Sequence, residues 1–276
     1  MNRRAFLSAS AAASCAALSA AQPRRGRLKQ SATRSCFGKG MALEDMCREA
    51  QGLGLVGLDL IGPKDRLTLK KHGLISTMAP GGGSIADGIN TRDNHAKIEQ
   101  QLRENIQLAA EAGMPNVITL SGNRRGMPDQ EGIENSVILL NKVKALAEDK
   151  GVTINLELLN SKVNHPDYHC DHTLWGVEVV KRVNSPRVKL LYDIYHMQIM
   201  EGDIIRTIRD NIQYIGHFHT AGNPGRHEID GTQELNYRAV ALAIVEAGFQ
   251  GYLAHEYSPL RDPIQSLKEA IEICDV

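Results

Sequence analysis

Val152-Thr153-Ile154-Asn155-Leu156-Glu157-Leu158 is a short apolar run that closes on a carboxylate, and long amphipathic stretches, Gly132 to Lys150 and Leu174 to Val183, lie on either side of it. A short apolar run rich in β-branched residues reads as a buried strand, and apolar positions recurring every three to four residues read as helices. Outward from this unit the pattern repeats. Strands are expected over Leu55 to Ile61, Leu74 to Met78, Asn116 to Leu120, Val188 to Asp193, Tyr214 to His219 and Tyr252 to Tyr257, with a weaker first one between Leu28 and Phe37. Helices are expected over Met41 to Gln51, Lys64 to Lys71, Arg92 to Ala112, Gly202 to Asp210, Leu235 to Ala247 and Pro263 to Ile273. Alternation of this kind implies parallel strands joined by right-handed crossovers. Eight such units close most economically as one α/β domain, a single (β/α)8 TIM barrel over residues 28–276. The runner-up is an open doubly wound sheet, weakened because the chain has neither a Gly-x-Gly-x-x-Gly turn after a strand nor a Gly-x4-Gly-Lys-Ser/Thr loop. Gly81-Gly82-Gly83, after the third strand, reads as a flexible connection rather than an anion cradle.

The 276 residues suit one barrel, and 42% hydrophobic with 23% charged residues is ordinary globular composition. Lys plus Arg and Asp plus Glu both number 32, so there is no net field to draw in nucleic acid. Asn2-Arg3-Arg4-Ala5-Phe6-Leu7 is a twin-arginine pattern, followed by an Ala-rich apolar run to Leu18 and the small residues Ser19-Ala20-Ala21. The expectation is an export signal over residues 1–21 and a periplasmic or otherwise extracytoplasmic destination; an apolar first helix, or a lipid anchor on Cys15, is the alternative. No other stretch approaches the roughly 18 consecutive apolar residues of a membrane helix. Cys36, Cys47, Cys170 and Cys274 have no CxxC spacing, and their number alone does not establish disulfides.

Four successive strand candidates end on or beside a metal-binding side chain: Glu157, Asp193, His219 and Glu256. Singly, each reads as a helix cap or a surface ion-pair partner. In a barrel, the carboxyl ends of strands five to eight lie side by side at the mouth, so the four can converge on one divalent cation. Three carboxylates and one nitrogen suit Mn2+ first, with Mg2+, Co2+ or Zn2+ as alternatives. His196, three residues past Asp193, is expected in a loop facing the mouth, hydrogen-bonding a substrate hydroxyl rather than the metal. His217 shares a strand face with His219 and lies one layer deeper, as a supporting donor or a satisfied core histidine; it is grouped with the substrate-binding candidates. Arg226 and Glu228 fall in the loop after strand seven, where Arg226 either clamps a substrate oxygen or makes a loop salt bridge. His165, His169 and His172 read as a lid or solvated loop, and Trp175 and Tyr195 as packing or a wall for a sugar ring.

Tyr192-Asp193-Ile194-Tyr195-His196-Met197-Gln198-Ile199-Met200-Glu201-Gly202, Gly216-His217-Phe218-His219 and Pro224-Gly225-Arg226-His227-Glu228 resemble the hydroxypyruvate isomerase group of the xylose isomerase-like barrel superfamily, which also holds ketose 3-epimerases and endonuclease IV. The resemblance runs from about Asn155 to Pro259. It implies that Glu157, Asp193, His219 and Glu256 hold the metal, that Glu157 and Glu256 flank the substrate carbon as acid and base, and that His196 and Arg226 contact substrate oxygens. His219 stands where hydroxypyruvate isomerases often have glutamine and ketose epimerases histidine. Val163 stands where ketose 3-epimerases place a second glutamate.

The chemistry also follows from the side chains. A metal chelated by a carbonyl and its neighbouring hydroxyl acidifies the intervening C–H and stabilises the enediolate, and glutamates on its two faces then give isomerisation or epimerisation. The expected activity is thus a metal-dependent isomerase or epimerase of a small ketose-like or hydroxypyruvate-like molecule, with a homo-oligomer possible. The alternatives are a keto-glycoside epimerase or eliminase and a non-catalytic metal-dependent sugar-binding protein. An apurinic-site endonuclease would need a trinuclear, histidine-richer cluster and a basic groove.

Overall fold

The computed structural model describes residues 25–276; the export-signal reading of residues 1–21 lies outside the described residues. Strands β1 (Lys29–Ala32), β2 (Gly57–Asp59), β3 (Ile75–Gly82), β4 (Asn116–Thr119), β5 (Thr153–Glu157), β6 (Val188–Asp193), β7 (Ile215–Thr220) and β8 (Tyr252–His255) are all parallel and closed, β8 pairing with β1. Helices α1 (Leu43–Gly52), α2 (Arg66–Lys71), α3 (His95–Ala112), α4 (Asp129–Lys150), α5 (Thr173–Val183), α6 (Ile194–Met200), α7 (Ile204–Asn211), α8 (Tyr237–Glu246) and α9 (Pro263–Cys274) connect and surround them. The architecture is a single (β/α)8 barrel. Among the described residues no helix is long and apolar enough to cross a membrane.

Helix ends follow local chemistry. Gly113 and Gly151 close α3 and α4 in the left-handed region, and the Asn236 and Asp262 side chains accept backbone N–H groups at the starts of α8 and α9. The apolar core lies between strands and helices, where Leu58, Leu156 and Phe218 meet side chains such as Ile106, Leu140, Val179 and Ile271. Residues that alternate with these point into the barrel. Several are polar: Ser31, Asp59, Thr77, Asn155, His217 and His219 are all fully buried.

One local feature differs from the sequence-based expectation, and a second was not anticipated by it. Gly81 and Gly82 belong to β3 rather than to a flexible connection, because a Cβ on Gly81 would sit 2.0 Å from the Ile118 carbonyl oxygen of the neighbouring strand. Between β6 and β7 the register slips: Leu190 faces Ile215 but Leu191 faces His217. The skipped Gly216 is where a Cβ would meet the Asn155 side chain at 2.4 Å, and the slip brings His219 level with Asp193. The four cysteines of the described residues are buried and unpaired.

Candidate metal centre and active site

Glu157 and Asp193 are the last residues of β5 and β6, His219 is the penultimate residue of β7, and Glu256 follows β8 by one position, where its N–H still bonds the Thr220 carbonyl at 2.9 Å. The four side chains converge, with one ligand atom from each inside a sphere of mutual contact under 4.8 Å. His219 Nδ1 lies 2.7 Å from Glu256 Oε2, 3.5 Å from Glu157 Oε1 and 4.0 Å from Asp193 Oδ2. Buried and without a hydrogen-bond partner, that nitrogen faces three carboxylates. An orphaned imidazole nitrogen among carboxylate oxygens is a donor set that fits a divalent cation, and Glu157, Asp193, His219 and Glu256 are the residues that would hold it.

Asp193 and His219 are oriented from behind. The Asp193 carboxylate is shared: Oδ1 accepts the His196 N–H at 3.1 Å and caps α6, leaving Oδ2 for the site. This cap explains why His196 lies within a helix and fully buried rather than in the loop expected after β6. The other nitrogen of His219, Nε2, lies 2.8 Å from Asp59 Oδ2 on β2, across the barrel. His217 Nε2 reaches the same oxygen at 3.2 Å, and Thr77 donates to Asp59 Oδ1. His217 therefore sits beneath the four-residue cluster and is not brought to its open side.

Asp59 is the functional residue that sequence reasoning missed. It ends β2 just as Asp193 ends β6, but only closure of the barrel sets it against β7.

His196, Arg226, Tyr195 and His165 form a second group packed against the cluster. Arg226 Nη2 contacts Asp193 Oδ2 at 3.1 Å and Glu256 Oε2 at 2.7 Å, and Nη1 lies 2.9 Å from His196 Nε2. Its guanidinium stands over the Tyr195 ring, 5.4 Å from the centroid, and the His165 ring is 5.3 Å from that of His196. Glu228 does not reach the cluster. It accepts from Leu260 N–H, Arg261 N–H and the Ser266 hydroxyl at 2.8 to 3.0 Å, tying the Arg226 loop to the start of α9. His169 is buried against Trp175 and hydrogen-bonds Asn90, whereas His172 is exposed.

Burial and neighbouring charge tune the site. Burial raises the proton affinity of Glu157, reinforced by the nearby Glu256 charge. Burial acts the same way on Glu256, but the His219 and Arg226 charges outweigh it and leave this carboxyl below the ordinary range. Burial disfavours a charged His219, yet Glu256, Asp59 and Glu157 hold its proton affinity well above that of a free histidine. Burial would also raise Asp59, but His217 and His219 hold it well below the usual carboxylate range. The two glutamates are thus biased in opposite directions.

The hydroxypyruvate isomerase of Escherichia coli (strain K12) is 36% identical over 105 residues, covering 37% of this chain and 40% of that one. The 2-oxo-tetronate isomerase of Cupriavidus necator is 34% identical over 127 residues, 46% of each chain. The chain spans between 39 and 66% of the length of the curated relatives it matches. Among solved structures, the AP endonuclease, family 2, of Brucella melitensis superposes with a TM-score of 0.75 at 27% identity, over 87% of this chain and 96% of that one. The model of the xylose isomerase-like TIM barrel family matches residues 66–275, and the chain belongs to that family.

Proposed function

We propose that the protein is a divalent-metal-dependent isomerase or epimerase of a small hydroxy-carbonyl molecule, of the hydroxypyruvate or ketose kind, with Mn2+ the favoured ion. The observation that carries the reading is the convergence of two glutamates, Glu157 and Glu256, on one buried, unpartnered imidazole nitrogen. A cation held by the four ligands would supply Lewis-acid polarisation of a carbonyl and its neighbouring hydroxyl, acidifying the C–H between them.

The chain's own residues do the rest. Glu157 and Glu256 are the acid and base pair: one carboxylate takes the proton and the other returns one. Return to the adjacent carbon isomerises, and return to the opposite face of the same carbon epimerises. Asn160 N–H, at 3.2 Å, and its side-chain amide both donate to His196 Nδ1, so the neutral ring carries its proton on Nε2 and offers it to a substrate oxygen. Arg226 supplies a second donor at the same place. The names of the curated isomerases support a substrate of this class. The name of the Brucella melitensis structure points to a nuclease, but the zero net charge of this chain and its four-residue cluster favour a small substrate. Export through the segment 1–21 belongs to the same proposal.

The test is exchange of solvent deuterium into hydroxypyruvate, 2-oxo-tetronate and a panel of ketoses and keto-glycosides with Mn2+ added. Exchange into one of these, abolished by chelator and reduced at least about 100-fold in both Glu157→Gln and Glu256→Gln, is the expected result, in line with loss of a general acid or base. Tight binding of metal and sugar without any exchange would refute the enzymatic reading and leave a binding protein.

A further inference from the structure

Arg226 reaches into the metal cage rather than standing beside it. Its Nη2 contacts Asp193 Oδ2 and Glu256 Oε2, the oxygens by which those two carboxylates approach His219 Nδ1. We propose that Arg226 and the divalent cation are alternative partners of these two carboxylates, so that metal entry drives the guanidinium off the ligands and toward an anionic oxygen of the substrate. The proposal rests on reading the cluster as a metal centre.

The contact on the other side of the guanidinium supports displacement. The Asn160 side-chain oxygen accepts from Val163 N–H and Asn164 N–H at 3.0 and 2.8 Å, which fixes its amide nitrogen toward His196 Nδ1. His196 Nδ1 is therefore an acceptor, and Nε2 bears the hydrogen when the ring is neutral. Arg226 Nη1 is also a donor, so two N–H groups face each other across 2.9 Å. That pairing contributes no attraction, and the two carboxylates hold the guanidinium there, with a long contact from Nε to the Glu256 backbone carbonyl at 3.4 Å. An oxygen bearing negative charge, placed between Nε2 and Nη1, accepts from both.

The exchange requires movement of a side chain alone. The Arg226 backbone is held by its N–H on the Gly222 carbonyl at 2.9 Å and by Ser258 N–H on its own carbonyl at 3.0 Å. It sits in the left-handed region, with φ of 59°, in a tight turn. The side chain is a quarter exposed and already lies against the Tyr195 ring, which offers a cation a resting face outside the cage. A divalent ion carries twice the charge of the guanidinium and approaches carboxylate oxygens at about 2.0 to 2.2 Å, nearer than either Nη2 contact, so the ion wins the contest for the shared oxygens.

The experiment is Mn2+ titration of metal-stripped wild-type protein, Arg226→Gln and Arg226→Lys, followed by calorimetry, with thermal unfolding recorded on each form. The glutamine variant is expected to bind Mn2+ at least about tenfold more tightly and the lysine variant to fall between. The metal-stripped glutamine variant is expected to melt below wild type and to gain more from Mn2+. Equal or weaker Mn2+ binding by folded Arg226→Gln overturns the proposal while leaving the metal centre intact; wild-type protein that is folded yet binds no Mn2+ overturns both. A crystal structure of the wild type with Mn2+ decides the matter without any variant. Separation of Nη2 from both carboxylates beyond about 4 Å, the limit of an ion pair, is expected. Retention of both contacts beside a bound ion overturns the proposal.

Discussion

His219 is held from two sides, by carboxylates at Nδ1 and by Asp59 at Nε2. The second contact decides the first: with Asp59 ionised and accepting from Nε2–H, the lone pair of a neutral His219 resides on Nδ1 and points at the cage. An outer carboxylate of this kind both fixes the tautomer and strengthens the ligand. Asp59→Asn keeps the size, but its amide has one acceptor oxygen and a donor nitrogen in place of a full negative charge. Mn2+ affinity is expected to fall roughly 10- to 100-fold, with the protein still folded. Titration of the metal-stripped variant checks this; an affinity equal to wild type would show that Asp59 merely fills space. The same reasoning places His217 as a partner of Asp59, beneath the ligands.

At the scale of elements, β8 carries one residue into the site and the next one back into the frame. His255 points away from Glu256 and joins β7 to β1: its Nε2 lies 3.0 Å from the Gln30 side-chain oxygen and its Nδ1 2.8 Å from the Thr220 hydroxyl. Because the Gln30 amide nitrogen donates to the Ile271 carbonyl, its oxygen must accept from Nε2–H, and Nδ1 accepts from Thr220. A neutral ring satisfies the whole chain of bonds, and burial pushes His255 down from 6.5 to about 3. In the unfolded chain it titrates near the ordinary value, so the unfolded state binds a proton first as pH falls. Stability is therefore present above about pH 6.5 and is lost progressively toward about pH 3. Urea unfolding at pH 7 and pH 5 is expected to differ by about 2 kcal/mol from this residue, and His255→Gln should lack that share of the difference. An unchanged pH slope in the variant would refute the assignment. Helix α6 shows the converse dependence, since a site residue, Asp193, starts the helix that carries His196.

For the whole molecule, the cage joins four consecutive strands at one end of the barrel, and its three carboxylates gather negative charge that Arg226 offsets in part. A cation bound there acts on global stability by mass action, adding about 2.7 kcal/mol at a concentration 100 times its dissociation constant. Thermal melting of metal-stripped protein should rise with added Mn2+ and return with chelator, and a melting point indifferent to both would argue against a metal centre.

The alternation of apolar runs with amphipathic stretches is enough to specify the barrel, since it admits few other closures, and it sets Glu157, Asp193, His219 and Glu256 at or beside strand ends. Short-range pattern also placed most helices, though it left out α6, whose start depends on a side-chain cap rather than on periodicity. It misread Gly81 and Gly82, because close approach of β4 at Gly81 and of α3 at Gly82, rather than local flexibility, demands glycine there. The closed fold alone reveals that Asp59 contacts His219 from across the barrel, that the slip at Gly216 levels His219 with Asp193, and that Arg226 reaches Asp193 and Glu256. Each of these is a contact between residues far apart in the chain, set by barrel closure and strand register, and no local pattern in the sequence records it.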